Sequence, residues 1–238
     1  MSSNSISDNL QTVQDELSAA CQAADRPATQ VALLAVSKTC SPQQVVEAAR
    51  AGQRAFGENY VQEAMDKMVA VATLAPELAL EWHFIGPIQS NKTRQIAEHF
   101  SWVHSVDREK IAVRLSEQRP SNLPPLNICL QINISGEASK SGVAPDEALG
   151  LALKIASLPG LRLRGLMAVP EPTDDAVTQR LPFAALRQLQ EAMRAEGLPL
   201  DTLSMGMSAD MRAAIAEGST IVRIGTAIFG KRDYAKNL

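Results

Sequence analysis

Two charged residues sit where an apolar chain has little reason to carry them. Lys38 follows the run VALLAV (31–36) after a single serine, and Arg223 lies amid Ile221, Val222, Ile224 and Ile228. Desolvation at the end of an apolar strand disfavours the ammonium, so Lys38 is a candidate for a free amine able to attack an aldehyde and form a Schiff base. A lysine whose head simply reaches solvent would show the same spacing, so position alone does not choose. Burying the Arg223 guanidinium is costly unless it meets an acceptor. That acceptor is either a structural carboxylate or a ligand atom such as a pyridine nitrogen, which an always-protonated arginine would keep unprotonated. A third group follows the last two apolar runs. Gly206, Gly225 and Thr226 allow close backbone approach, and Ser208 is placed to cap a helix, a combination that suits a phosphate. Ordinary turn and cap chemistry explains each of these residues singly; it is their joint placement that suggests a site. His83, His99 and His104 show neither HExxH nor another ligand spacing, so no metal is expected.

The elements that must position these residues are legible as a repeat. Short apolar runs recur at VALLAV (31–36), RAFG (54–57), WHFIG (82–86), WVHSV (102–106), NICLQINI (127–134), LRGLMAV (163–169), TLSMGM (202–207) and TIVRIG (220–225). Helical patterns separate them, among them Pro42 to Ala51, Asn59 to Ala72, Asp107 to Gln118, Pro145 to Ser157, Pro182 to Ala195 and Ser208 to Ala216. Strand followed by helix, repeated, predicts parallel strands with right-handed crossovers. Strands apolar on consecutive positions predict cover on both faces. Eight units predict closure into a (β/α)8 TIM barrel. The alternative, an open doubly wound sheet, lacks its GxGxxG after the first strand. Ahead of the first strand, Ile6, Leu10, Val13, Leu17, Ala20 and Cys21 recur at three- and four-residue intervals and predict one extra amphipathic helix.

In such a barrel the chemistry belongs to the loops at the carboxyl ends of the strands. That rule selects Ser37-Lys38-Thr39, Glu58-Asn59-Tyr60, residues 86–92, Asn133 with Ser139 to Gly142, residues 205–210, and Arg223 to Thr226. Trp82, Trp102, Met205, Met207 and Met211 read as packing residues.

Composition narrows the function classes. With 238 residues, 45% of them hydrophobic, the chain has material for one large core, and residues 1–238 are read as a single domain. A net charge of -3, without a block of like charges, gives no footprint for nucleic acid or an anionic membrane. Cys21, Cys40 and Cys129 are odd in number and widely spaced, which speaks against a disulfide framework and for a reducing cytoplasm. The amino terminus lacks the pattern of a secretion signal, and no apolar run reaches about 18 residues, so neither export nor membrane insertion is expected.

At the level of longer motifs, AVSKT, FGENYVQE, WHFIGPIQSNK, INIS…SKSG, GLMA, SMGMSADMRAAIAEGSTIVRIGTAIFG and RDY appear in order between about Val31 and Tyr234. This series strongly resembles the pyridoxal phosphate homeostasis protein family, the YggS/PROSC-like group. The resemblance implies the alanine-racemase-like barrel of fold-type III proteins that use pyridoxal 5'-phosphate (PLP), with the cofactor held covalently by Lys38. Carried over by position, it implies Asn59 beside the cofactor ring, Ser208, Gly225 and Thr226 on the phosphate, and Arg223 facing the pyridine nitrogen. Lys140 matches a family lysine that receives PLP transiently. Cys40 departs from the family, where a polar or basic residue is common two positions after the lysine. The implied role is intracellular PLP homeostasis, buffering the cofactor or delivering it to apo PLP-dependent enzymes, without catalysis. The competing reading is an amino-acid racemase, which shares the barrel and the lysine but completes its site with a second domain and a dimer partner. Without that domain, a monomer is expected.

Overall fold

The computed structural model describes residues 5–136 and 141–230. Helix α1 (Ile6–Ala23) comes first. The chain then alternates through β1 (Ala32–Val36), α2 (Pro42–Arg50), β2 (Ala55–Glu58), α3 (Val61–Leu74), β3 (Glu81–Phe84), α4 (Thr93–His99), β4 (Trp102–Val106) and α5 (Glu109–Gln118). It continues through β5 (Leu126–Gln131), α6 (Pro145–Ala156), β6 (Leu161–Met167), α7 (Ala176–Ala195), β7 (Thr202–Ser204), α8 (Met211–Ala216), β8 (Ile221–Ile224) and α9 (Thr226–Phe229). The eight strands form a closed barrel in sequence order. Every neighbouring pair is parallel, and closure is made by β1 against β8, with Leu34 beside Arg223. The expected (β/α)8 barrel is therefore the observed one, and each of the eight apolar runs supplies a strand.

Three apolar clusters show how the barrel is filled. Leu34, Trp102, Cys129, Met167 and Ile221, with Ala55 and Ile85 against them, come from seven different strands or strand ends and form the interior. Strand residues of opposite phase, such as Ala35, Val222 and Ile224, pack outward with the helices. The buried positions of α1 are Ile6, Leu10, Val13, Leu17, Ala20 and Cys21, the face predicted from the spacing. They share a cluster with α2, α8, α9, β1 and β8, so α1 covers the seam where the barrel closes. Ser5 and Asp8 form a capping box at its start, and Asn9 Nδ2 donates to Ile228 O at 3.0 Å, pinning α1 to α9.

Several boundaries differ from those predicted. Helix α7 begins at Ala176, not at Pro182, because Asp175 accepts from Thr178 N at 2.7 Å and caps the chain there. Pro182 lies inside the helix and forgoes one main-chain bond. Strand β7 stops at Ser204, short of Met207, and Gly206 bends the chain with φ +100°. Strand β5 ends at Gln131, after which Ile132 bridges to Val143. Met205 and Met211 are buried as expected, but Met207 is exposed. The three cysteines are buried, and none is in a disulfide among the described residues. No helix among the described residues is long and apolar enough to cross a membrane.

Candidate functional site

Closure brings the two ends of the sequence together. Strands β7, β8, β1 and β2 are consecutive neighbours, and their carboxyl ends carry Ser208, then Arg223, Gly225 and Thr226, then Lys38, then Asn59. All six residues selected from the sequence thus lie on one arc of the barrel mouth.

Lys38 is held by its neighbours more than by its own side chain. It is half-buried, not enclosed, and its Nζ makes no hydrogen bond with the described residues. The next residue, Thr39, adopts φ +63°, a left-handed conformation that a β-branched residue takes only under compulsion. That compulsion comes from a buried ionic cluster behind the loop. Glu63 Oε1 accepts from Thr39 N at 2.6 Å. Lys67 Nζ donates to Ser37 O at 2.6 Å, Glu58 Oε1 at 2.7 Å and Glu63 Oε1 at 2.8 Å, using all three ammonium protons. Ser37 Oγ donates to Glu58 Oε1 at 2.7 Å. Burial pushes the Glu58 carboxyl above its ordinary range, and the Lys67 charge only partly offsets this. On the far side of the loop, Ser41 and Gln44 form a capping box, with Pro42 at the first turn of α2.

Asn59 leaves the end of β2 with its main chain against Gly86, where a Cβ would lie 2.2 Å from Asn59 O. A glycine is therefore required at position 86. The side-chain Oδ1 of Asn59 is buried and has no hydrogen-bond partner among the described residues. A buried amide oxygen in that state has capacity reserved for something else.

Arg223 is 5% exposed inside the barrel. Its acceptors are Ser204 O and Ser204 Oγ, both 2.7 Å from Nη1, and Ala168 O, 2.9 Å from Nη2. Main-chain and hydroxyl oxygens thus hold the guanidinium, where a structural carboxylate was one of the two expectations. Those bonds use three of its five N–H groups. Burial lowers its pKa to about 10, far enough above neutrality to keep it cationic.

Arg223 N donates to Gly206 O at 2.9 Å, tying the loop after β7 to β8. A Cβ on Gly206 would meet that of Ala214 at 2.6 Å. Ser208 does not cap α8. Asp210 folds back so that its Oδ1 accepts from Met207 N at 2.5 Å, which holds residues 208–210 in a turn and delays the helix to Met211. Ser208 and Thr226 instead stand exposed on the mouth, with Gly225 half-buried between strand and α9. Lys140, Ser139 and the RDY segment lie outside the described residues.

Sequence reading missed two groups. Lys67 lies on the buried stripe of α3 with Val61, Ala64 and Val71, and a charge on that stripe was the available signal. The second is a run of polar residues through the barrel interior. His83 Nε2 lies 2.8 Å from Glu81 Oε1, and His83 Nδ1 lies 2.9 Å from His104 Nε2. His104 Nδ1 lies 2.7 Å from Ser204 Oγ, the atom that receives Arg223. Alternate positions on β3 and β4 were the signal for the two histidines. Burial lowers the pKa of both, and that of His104 is driven well below the usual histidine value, with the charge of Arg223 adding to the effect.

Residues 9–233 match the family model "Alanine racemase, N-terminal domain". A pyridoxal phosphate homeostasis protein of Vibrio cholerae is 57% identical over 233 residues, which is 98% of this chain and 99% of that one. PipY of Synechococcus elongatus, solved with PLP bound, superposes with a TM-score of 0.81 at 35% identity, covering 94% of this chain and 100% of PipY. Alanine racemase from Corynebacterium glutamicum shares the fold, with a TM-score of 0.66 at 18% identity, but this chain covers 62% of that enzyme against 95% of itself. With a matching domain model along nearly its whole length and relatives of this identity, the chain belongs to the pyridoxal phosphate homeostasis protein family.

Proposed function

We propose that this chain, acting as one domain over residues 1–238, binds PLP reversibly in the cytoplasm and buffers it or hands it to apo PLP-dependent enzymes, without catalysing a reaction. The observation that carries the reading is the β1–β8 closure, which puts a lysine, a buried arginine with spare donors and a small-residue turn on one arc of the mouth. The residues fit the cofactor in kind. Among the described residues, Lys38 supplies an amine without a competing partner, and Asn59 offers a buried oxygen with no other use. Arg223 has N–H groups to spare for a ring nitrogen. Exposed Ser208 and Thr226, with Gly225, line a mouth where backbone N–H groups can receive a phosphate.

When bound, PLP would supply an aldehyde that is taken up covalently by an amine. The strained Thr39 and the cluster behind it fix the direction of Lys38. Arg223, which stays charged, would keep the ring nitrogen unprotonated and so make the cofactor a poorer electron sink, a feature that a racemase tolerates and that does not separate the two roles. The name of the Vibrio relative and the PLP-bound PipY support the same reading. A racemase-like enzyme, built on the same barrel, is the alternative. The expected form is a monomer.

The test uses the purified full chain loaded with PLP. Borohydride reduction followed by peptide mass should place the adduct on Lys38, and Lys38→Ala should lose it along with the near-visible band. A chain that cannot be loaded sinks the cofactor reading. Turnover of amino acids that disappears in Lys38→Ala keeps the cofactor and sinks the non-catalytic role.

A further inference from the structure

The polar chain through the barrel has a direction. Arginine only donates, so Ser204 Oγ accepts from Arg223 Nη1 at 2.7 Å. At the other end Glu81 is 50% exposed on its side chain, and hydrogen bonding from His83 holds its carboxyl below the ordinary range, so it is an anionic acceptor. His83 must therefore carry its proton on Nε2. Because burial keeps His83 neutral, its Nδ1 is bare and accepts from His104 Nε2–H. His104, neutral for the same reason, then has a bare Nδ1, and the Ser204 hydroxyl donates to it. The carboxylate at one end and the guanidinium at the other demand the same arrangement, with every proton pointing from Arg223 toward Glu81.

The surroundings make the rings hard to turn. His83 stacks on Trp102, with 5.4 Å between centroids and 7° between planes. Arg164 lies 4.7 Å over the same indole and is paired with Asp201 at 2.9 Å. The other titratable groups near the chain do not reverse it. Cys129 is a thiol pushed up to about 12 by burial, and Asp210 acts on Arg223 only through space.

We propose that Glu81, His83, His104 and Ser204 are positioning residues that form a one-way hydrogen-bond chain, by which the amino-terminal mouth of the barrel fixes the guanidinium of Arg223 for the cofactor ring. This rests on the PLP reading above, but its first consequence is independent of ligand. Ser204, whose own proton is committed to His104, offers Arg223 lone pairs alone, and Arg223 is held in one rotamer with its remaining N–H groups free for the ring nitrogen.

Imidazole nitrogen-15 spectra of the full chain without PLP should show both His83 and His104 as neutral Nε2–H tautomers at pH 7.5. Glu81→Ala should mix the tautomers, while Glu81→Gln, which keeps an acceptor oxygen, should restore them. With PLP, Ser204→Ala should weaken binding by about tenfold, the scale of one hydrogen bond to a charged group. Glu81→Ala should weaken it by less and should shift the pH dependence of the near-visible band, which a purely structural loss would leave in place. An Nδ1–H or doubly protonated ring in the wild type overturns the direction. The expected tautomers together with unchanged affinity and band in both variants overturn the positioning role. Failure of the wild type to bind PLP at all is a different result, since it sinks the cofactor reading while the ligand-free spectra still decide the chain.

Discussion

Two buried polar assemblies support the candidate site, and they are built on opposite principles. The one behind β1 and β2, outside the barrel wall, is ionic. Lys67 is clasped by Glu58 and Glu63, and its product is a backbone shape, the strained turn at Thr39. The one inside the barrel is neutral along most of its length, and its product is the orientation of one side chain, Arg223. Burial explains the choice. Against the wall the Lys67 ammonium finds three acceptors, two of them carboxylates. Inside the barrel Arg223 already supplies one cation, and its field adds to desolvation in keeping His104 unprotonated. The wall cluster carries one more carboxylate than cation, and the interior one more cation than anion at its upper end.

The comparison is broken most severely by removing Lys67. Lys67→Met leaves Glu58 buried beside a lost cation and should cost about 3–5 kcal/mol in urea unfolding. Pairing it with Glu58→Leu should return much of that stability, since an apolar pair of similar volume avoids the desolvation. A loss under about 1 kcal/mol in the single variant would mean that the cluster is not ionic, contrary to the geometry.

The two assemblies should also answer pH with opposite signs. His83 and His104 have folded pKa values below the ordinary 6.5, so the unfolded chain binds the extra protons. Their contribution is complete above about pH 6.5 and is lost as pH falls through the folded values, and each tenfold difference in proton affinity between the two states is worth about 1.4 kcal/mol. Glu58 is raised instead, so its contribution is complete below the ordinary carboxylate value of 4.5 and is lost as pH rises through the folded value. Urea midpoints at pH 5 and 7.5 check this by difference. His104→Phe should reduce the gain on going to pH 7.5, and Glu58→Gln should enlarge it. Equal slopes in wild type and His104→Phe would show that His104 titrates normally.

What the sequence allowed one to read follows from how local each signal is. The α1 face was legible because six apolar positions repeat without interruption, and the strands because each is an apolar run with a turn behind it. Lys38 and Arg223 stood out as charges in apolar settings. Lys67 was as informative in principle, being on the buried stripe of α3 with Glu63 one turn before it, but its other partners lie nine and thirty residues away and only the fold assembles them. His83 and His104 looked like lone histidines because their contact is between strands. The start of α8 was misjudged because Ser208 and Asp210 both suit a cap, and it is the bond from Met207 N to Asp210 that decides. The start of α7 was misjudged because Pro182 resembles a first-turn proline, whereas the cap is Asp175.

The smallest expected effect tests whether the wall cluster acts on the loop itself. Thr39→Gly should relieve about 1–2 kcal/mol of left-handed strain. It should lose about as much through the greater freedom of glycine and through the hydrogen bond from Thr39 Oγ1 to Lys38 O at 2.6 Å. The unfolding midpoint should therefore barely move, while hydrogen exchange at Lys38 and Thr39 quickens and PLP binding weakens a few-fold. Thr39→Val keeps the strain and drops the hydroxyl bond, so it should lose about 1 kcal/mol. A clear gain in stability for Thr39→Gly would mean the strain is not compensated locally and is sustained by Lys67, Glu63 and Glu58 alone. In that case the same substitution in the Lys67→Met background should gain nothing, because the force that imposes the left-handed turn would already be gone.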